Sequence, residues 1–122
     1  MSGKTVAKIG TPLPGKKVRG SETGRPVMAL LDLASRRGLL RVVWELRHGP
    51  LKFRPLQAAC GGVSPSLLNT RLRELRDARL VELSDEGYQL TTLGHGLYCA
   101  FEPISAWADG WARDLKKRAA KD

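Results

Sequence analysis

The stretch from Val63 to Leu80 leaves this chain the fewest options. Ser64 is a good N-cap, because its hydroxyl can accept from an orphan backbone N–H, and Pro65 falls at the first helical position, where a missing N–H costs nothing. A helix therefore starts there. Leu68, Leu72 and Leu75, with Leu80 just past the end, form one inward stripe, while Ser66, Asn69, Thr70, Arg73 and Asp77 point the other way. Hydroxyl and amide groups on that outer face suit base edges or phosphates, and arginine bridges guanine bidentately, so the face fits a DNA major groove. An ordinary solvated helix face has the same composition, so the neighbouring segments must discriminate.

Lys52 to Cys60 holds Phe53, Leu56 and Ala59 at helical spacing, with Pro55 tolerable in the first turn and Gly61-Gly62 ending the segment. Only a few residues then separate it from Ser64, which sets two short helices at a steep angle, the helix-turn-helix arrangement. Downstream, Leu80–Leu83 and Tyr88–Leu90 flank Ser84-Asp85-Glu86-Gly87, a β-hairpin pattern in the position of a wing. Upstream, Pro26 opens a first helix carrying Val27, Leu30, Leu31 and Ala34, and a second carries Leu39, Val42, Val43 and Leu46 before Gly49-Pro50 stops it. The candidate DNA contacts are Ser64, Ser66, Asn69, Thr70, Arg71 and Arg73, joined by Lys52 and Arg54 of the preceding helix. Arg71 lies nearer the apolar stripe, where it supports the helix or reaches a phosphate.

Thr91 or Thr92 can cap a last helix whose apolar face runs through Leu93, Leu97, Phe101 or Ala100, Ile104, Trp107, Trp111 and Leu115. Pro103 should break or kink it at Glu102, and Lys116-Lys117-Arg118 suit its C-terminal dipole. Trp107 and Trp111 are either core or a partner surface. A protruding terminal helix has little else to pack on, and large aromatics are enriched in interfaces, which favours dimerisation through Leu97, Phe101, Ile104, Trp107, Trp111 and Leu115. The expected organisation is a single domain over 26–118, with a dimerisation helix at about 92–118, following a basic tail at 1–25.

Lysine and arginine number 21 against 12 acidic residues, a net charge of +9 that favours a polyanionic partner. More than half of the excess sits on the tail, where Lys4, Lys8, Lys16, Lys17, Arg19 and Arg25 face only Glu22. Scattered Gly and Pro with no apolar period mark residues 1–25 as flexible, and Lys16, Lys17, Arg19 and Arg25 are candidate phosphate contacts. No apolar run approaches a membrane span, and the first residues lack the apolar centre of a signal peptide, so the chain reads as cytoplasmic with no membrane partner. Cys60 and Cys99 show no zinc spacing and form no disulfide framework. His48 and His95 have no serine or carboxylate partner in sequence, and no phosphate loop or nucleophile elbow is present. No enzyme, metal or cofactor is expected; a small-molecule effector is left open.

Gly62-Val63-Ser64-Pro65 through Arg71-Leu72-Arg73-Glu74-Leu75, followed by Tyr88-Gln89-Leu90-Thr91-Thr92-Leu93-Gly94, resembles the HxlR-type branch of winged-helix transcriptional regulators, related to the MarR type. Leu33, Glu45-Leu46, Gly49-Pro50 and Phe53 with Leu56 add to the match, which runs from about Ala29 to Trp107. The resemblance implies a mainly α fold with a small β-hairpin, a winged helix-turn-helix. It also implies a homodimer joined by its first and last helices, reading the half-sites of a near-palindromic operator in double-stranded DNA. Arg37-Gly38 stands where such proteins usually have Lys-Trp, and Pro55 where they have an acidic residue. The wing is short with Asp85 and Glu86 at its tip, and Gly24-Arg25-Pro26 lacks the cysteine through which some members sense oxidants. A second class remains open, an architectural protein that binds DNA loosely and assembles through its last helix.

Overall fold

The computed structural model describes residues 10–121. Five helices and one hairpin follow in order: α1 (Pro26–Ala34), α2 (Leu39–Glu45), α3 (Phe53–Ala59), α4 (Pro65–Asp77), β1 (Val81–Ser84), β2 (Gly87–Leu90) and α5 (Thr92–Lys121). The apolar stripes meet as their spacing dictates. Leu39 and Leu46 of the α2 segment, Leu56 of α3, and Leu68 and Leu75 of α4 are fully buried around one core, which Val81 and Leu90 close from the hairpin. Each such leucine contributes about 2 kcal/mol relative to an exposed one. The fold is thus mainly helical with a small antiparallel hairpin, a winged helix-turn-helix.

Val81 pairs with Leu90 and Ser84 with Gly87, leaving Asp85 and Glu86 as the turn. Leu51 adds a bridge that local spacing does not reveal: its N–H donates to the Tyr88 carbonyl at 3.0 Å and its carbonyl accepts from Tyr88 N–H at 2.9 Å. The close approach explains Gly87, since a side chain there would strike the backbone of Leu51 and Lys52.

Composition marks 1–25 as flexible, and over the described part, residues 10–25, the structure differs. Thr11 and Val18 are buried. The Thr11 hydroxyl donates to Asp77 Oδ2 at 2.7 Å, Gly15 N–H donates to the Gly24 carbonyl at 2.9 Å, and Arg19 N–H donates to Asp32 Oδ2 at 3.1 Å. The segment is a strap laid over α1 and the end of α4, closed on itself by the Gly15–Gly24 bond and held to the helices through Asp32 and Asp77. Lys4 and Lys8 lie outside the described residues.

At the start of α5, the Thr91 hydroxyl accepts from Gly94 N–H at 3.1 Å and donates to the Arg79 carbonyl at 2.7 Å. Gly94 is buried against the hairpin base, where an added Cβ would strike the Leu80 carbonyl oxygen and lie 3.2 Å from Leu90 Cβ. Gly94→Ala gains about 1 kcal/mol of helix propensity and loses about 3 kcal/mol to overpacking, because a backbone oxygen cannot rotate aside. Urea unfolding should therefore show a net loss of about 2 kcal/mol; no loss would mean that the helix start shifts freely. Farther along, the expected break at Glu102 does not occur, and α5 continues through Pro103. Proline removes the donor to the Cys99 carbonyl and crowds that group, and Cys99 is on the exposed side, where solvent has access to it.

Candidate nucleic-acid interface

Helix α4 is fixed at its N-terminal end by the turn before it. Gln57 Nε2 donates to the Val63 carbonyl at 2.8 Å and Gly62 N–H to the Gln57 carbonyl at 2.9 Å, closing the turn after α3. The Ser64 hydroxyl accepts from Leu67 N–H at 3.1 Å, the cap its position predicts. Ser66, Asn69 and Arg73 are exposed along the outer face, with Thr70 half-buried beside them. Lys52 and Arg54 are exposed at the start of α3. Arg76, three residues beyond Arg73, is exposed and lines a cleft with Asn69, Arg73, Asp77 and Tyr88. Its helical spacing was legible in the sequence, yet it is absent from the candidates above.

Arg71 turns inward instead. Its Nε donates to the Arg37 carbonyl at 2.7 Å and its Nη1 to Glu74 Oε1 at 2.8 Å. Glu74 is 1% exposed, and its other oxygen accepts from Arg36 Nη1 at 3.4 Å. Of the two roles open to Arg71, helix support fits this geometry: the guanidinium ties α4 to the loop between α1 and α2. Glu74 could not be singled out beforehand, because its burial and its second partner, Arg36, depend on the loop after α1, 38 residues away.

The cations of the strap are placed less uniformly. Lys17 pairs with Glu22 at 3.3 Å, Lys16 Nζ lies 3.4 Å from the Thr11 carbonyl, and the Arg19 and Arg25 side chains are exposed. Asp85 and Glu86 are exposed at the wing tip, where carboxylates oppose a phosphate backbone. Cys60 is buried, and burial together with the nearby Glu45 carboxylate pushes its thiol pKa up, against an opposing pull from Arg41. Among the described residues no group of three His, Cys, Asp or Glu side chains could hold a metal, and no helix is long and apolar enough to cross a membrane.

Helix α5 spans about 45 Å, more than the small core can cover. Of the residues assigned to a dimer interface, Ile104, Trp107, Trp111 and Leu115 are exposed, whereas Leu97 and Phe101 are half-buried. Trp107 and Trp111 stack on each other with ring centroids 5.6 Å apart. Leu93 on the same helix and Val27 and Leu31 on α1 are further exposed large apolar side chains.

A capped helix presented by a helix-turn-helix, followed at once by a hairpin, defines a winged helix-turn-helix protein of the transcription-regulator class. The description "HxlR-like helix-turn-helix" matches residues 33–116, so the chain belongs to the HxlR family of DNA-binding transcriptional regulators. It is similar to an uncharacterized HTH-type transcriptional regulator, YvaP, of Bacillus subtilis, at 31% identity over 88 residues that cover 66% of this chain and 82% of the relative. It is also similar to the crystal structure of quinone-bound YodB from B. subtilis, with a TM-score of 0.66 and 28% identity, covering 69% of this chain and 96% of that one.

Proposed function

We propose that this regulator binds a near-palindromic operator as a homodimer, with α4 in the major groove of each half-site. The observation that carries the reading is the fixation of α4: the Ser64 cap and the Arg71–Glu74–Arg36 cluster hold the helix while Ser66, Asn69, Thr70 and Arg73 stay outward. Such rigidity is what base reading needs, and a merely solvated face would not need it. Arg76 belongs with the outward set. Arg71 serves as a positioning residue, and Lys52, Arg54 and the strap cations supply phosphate contacts. The Thr11–Asp77 hydrogen bond supports that role for the strap, since it brings the strap to the C-terminal turn of α4.

Selection of bound fragments from random-sequence DNA tests the reading. A two-fold symmetric site preferred by at least ~10³ over random DNA is the expected result; no enrichment would favour the loosely specific architectural alternative. On the selected site Arg73→Ala should cost ~1–3 kcal/mol and relax discrimination at one base pair. Equal losses on selected and random DNA would reduce Arg73 to a phosphate contact.

A further inference from the structure

We propose that the groove between α2 and α5 binds a planar aromatic cation. The groove encloses about 450 Å³, within the range of small-molecule sites, and is lined by Leu40 and Trp44 from α2 and by Tyr98, Phe101, Glu102 and Asp109 from α5. Its walls are aromatic: Trp44 is 46% exposed, and its ring centroid lies 5.8 Å from that of Tyr98. The groove lining includes these two carboxylates and no lysine, arginine or histidine, in a chain whose net charge is +9. A local reversal of sign on an aromatic surface is what attracts a lipophilic cation and repels an anion. The Trp44 ring already accepts positive charge, with the Arg47 guanidinium carbon 3.8 Å from its centroid.

The groove shares Phe101 and Ile104 at its edge with the surface proposed for dimerisation, but its carboxylates lie on another flank of α5. At about 100° per residue, Tyr98, Glu102 and Asp109 share one flank of α5, while Trp107, Trp111 and Leu115 project roughly 140° away. A second copy laying that apolar stripe into the groove would bury Asp109, and Glu102 with only the Tyr98 hydroxyl donating to it at 3.4 Å, without a counter-charge from the stripe, which is costly. A cation neutralises them instead. Glu102 and Asp109 stand two turns apart, about 10 Å along the axis, so a fused-ring cation lying along the groove stays close to both.

The test compares N-methylacridinium with acridine, which has the same three rings and is uncharged at pH 8, by equilibrium dialysis against the full chain without DNA. The cation should bind roughly tenfold more tightly. The double variant Glu102→Gln/Asp109→Asn should erase that preference while leaving binding of neutral acridine unchanged, and Trp44→Leu should weaken both compounds. Equal affinities, or a preference that survives the double variant, would overturn the proposal. Failure of both compounds to bind would overturn it too, and if Ser105→Trp then dissociated dimers, the groove would belong to a second copy of the chain.

Discussion

Replacing Trp107 and Trp111 together with serine should give monomers and lower the affinity for a symmetric operator by about a hundredfold or more. The two rings are 67% and 55% exposed and lie on one flank of a helix that outruns its own core. Burying each ring against a second copy contributes about 2–3 kcal/mol, and two-fold symmetry makes every contact count twice. Without that contact each half-site must be filled by an independent chain, and the advantage of an effective local concentration is lost. Sedimentation equilibrium reads the assembly and a titration on the selected site reads the affinity. The substitutions should leave the fold intact, since neither ring touches the core cluster. An unchanged mass would assign the tryptophans some other partner.

Glu74→Ala should cost about 3 kcal/mol of folding stability, a large fraction of what a domain of this size possesses. The loss comes mainly from what is left behind. Arg71, 13% exposed, would keep its hydrogen bond to the Arg37 carbonyl but lose its counter-charge, and Arg36 would retain only Asp32 at 3.9 Å. Because Arg36 is about a third exposed, water relieves part of the penalty, which places the expected value at the low end for a broken buried pair. Replacing both partners, Arg71→Met with Glu74→Leu, should cost less than the single change, since no unpaired charge remains. Urea unfolding of the three proteins decides the matter. A single-variant loss below about 1 kcal/mol would show that the cluster contributes little.

The comparison of sequence with structure turns on which interactions are local. The boundaries of α1 and α4, the Ser64 cap, the inward leucines and the hairpin were legible because caps, breakers and periodicity act over a few residues. The outer face of α4 followed from the same periodicity, which makes Ser66, Asn69, Thr70 and Arg73 neighbours wherever the helix packs. The continuity of α5 through Pro103 ran against a local rule. The lost hydrogen bond there falls on a solvated stretch where it costs least.

What the chain determined by itself is therefore its elements, their inner and outer faces, and a charge that calls for a polyanion. Tertiary structure alone decided the remainder. It set the Leu51–Tyr88 bridge, the strap pinned by Thr11 to Asp77, the inward turn of Arg71 onto the Arg37 carbonyl and the carboxylate-bearing aromatic groove. Each joins segments remote in sequence, and the strength of a buried charge, hydrogen bond or ring contact depends on neighbours and desolvation that only the assembled fold supplies.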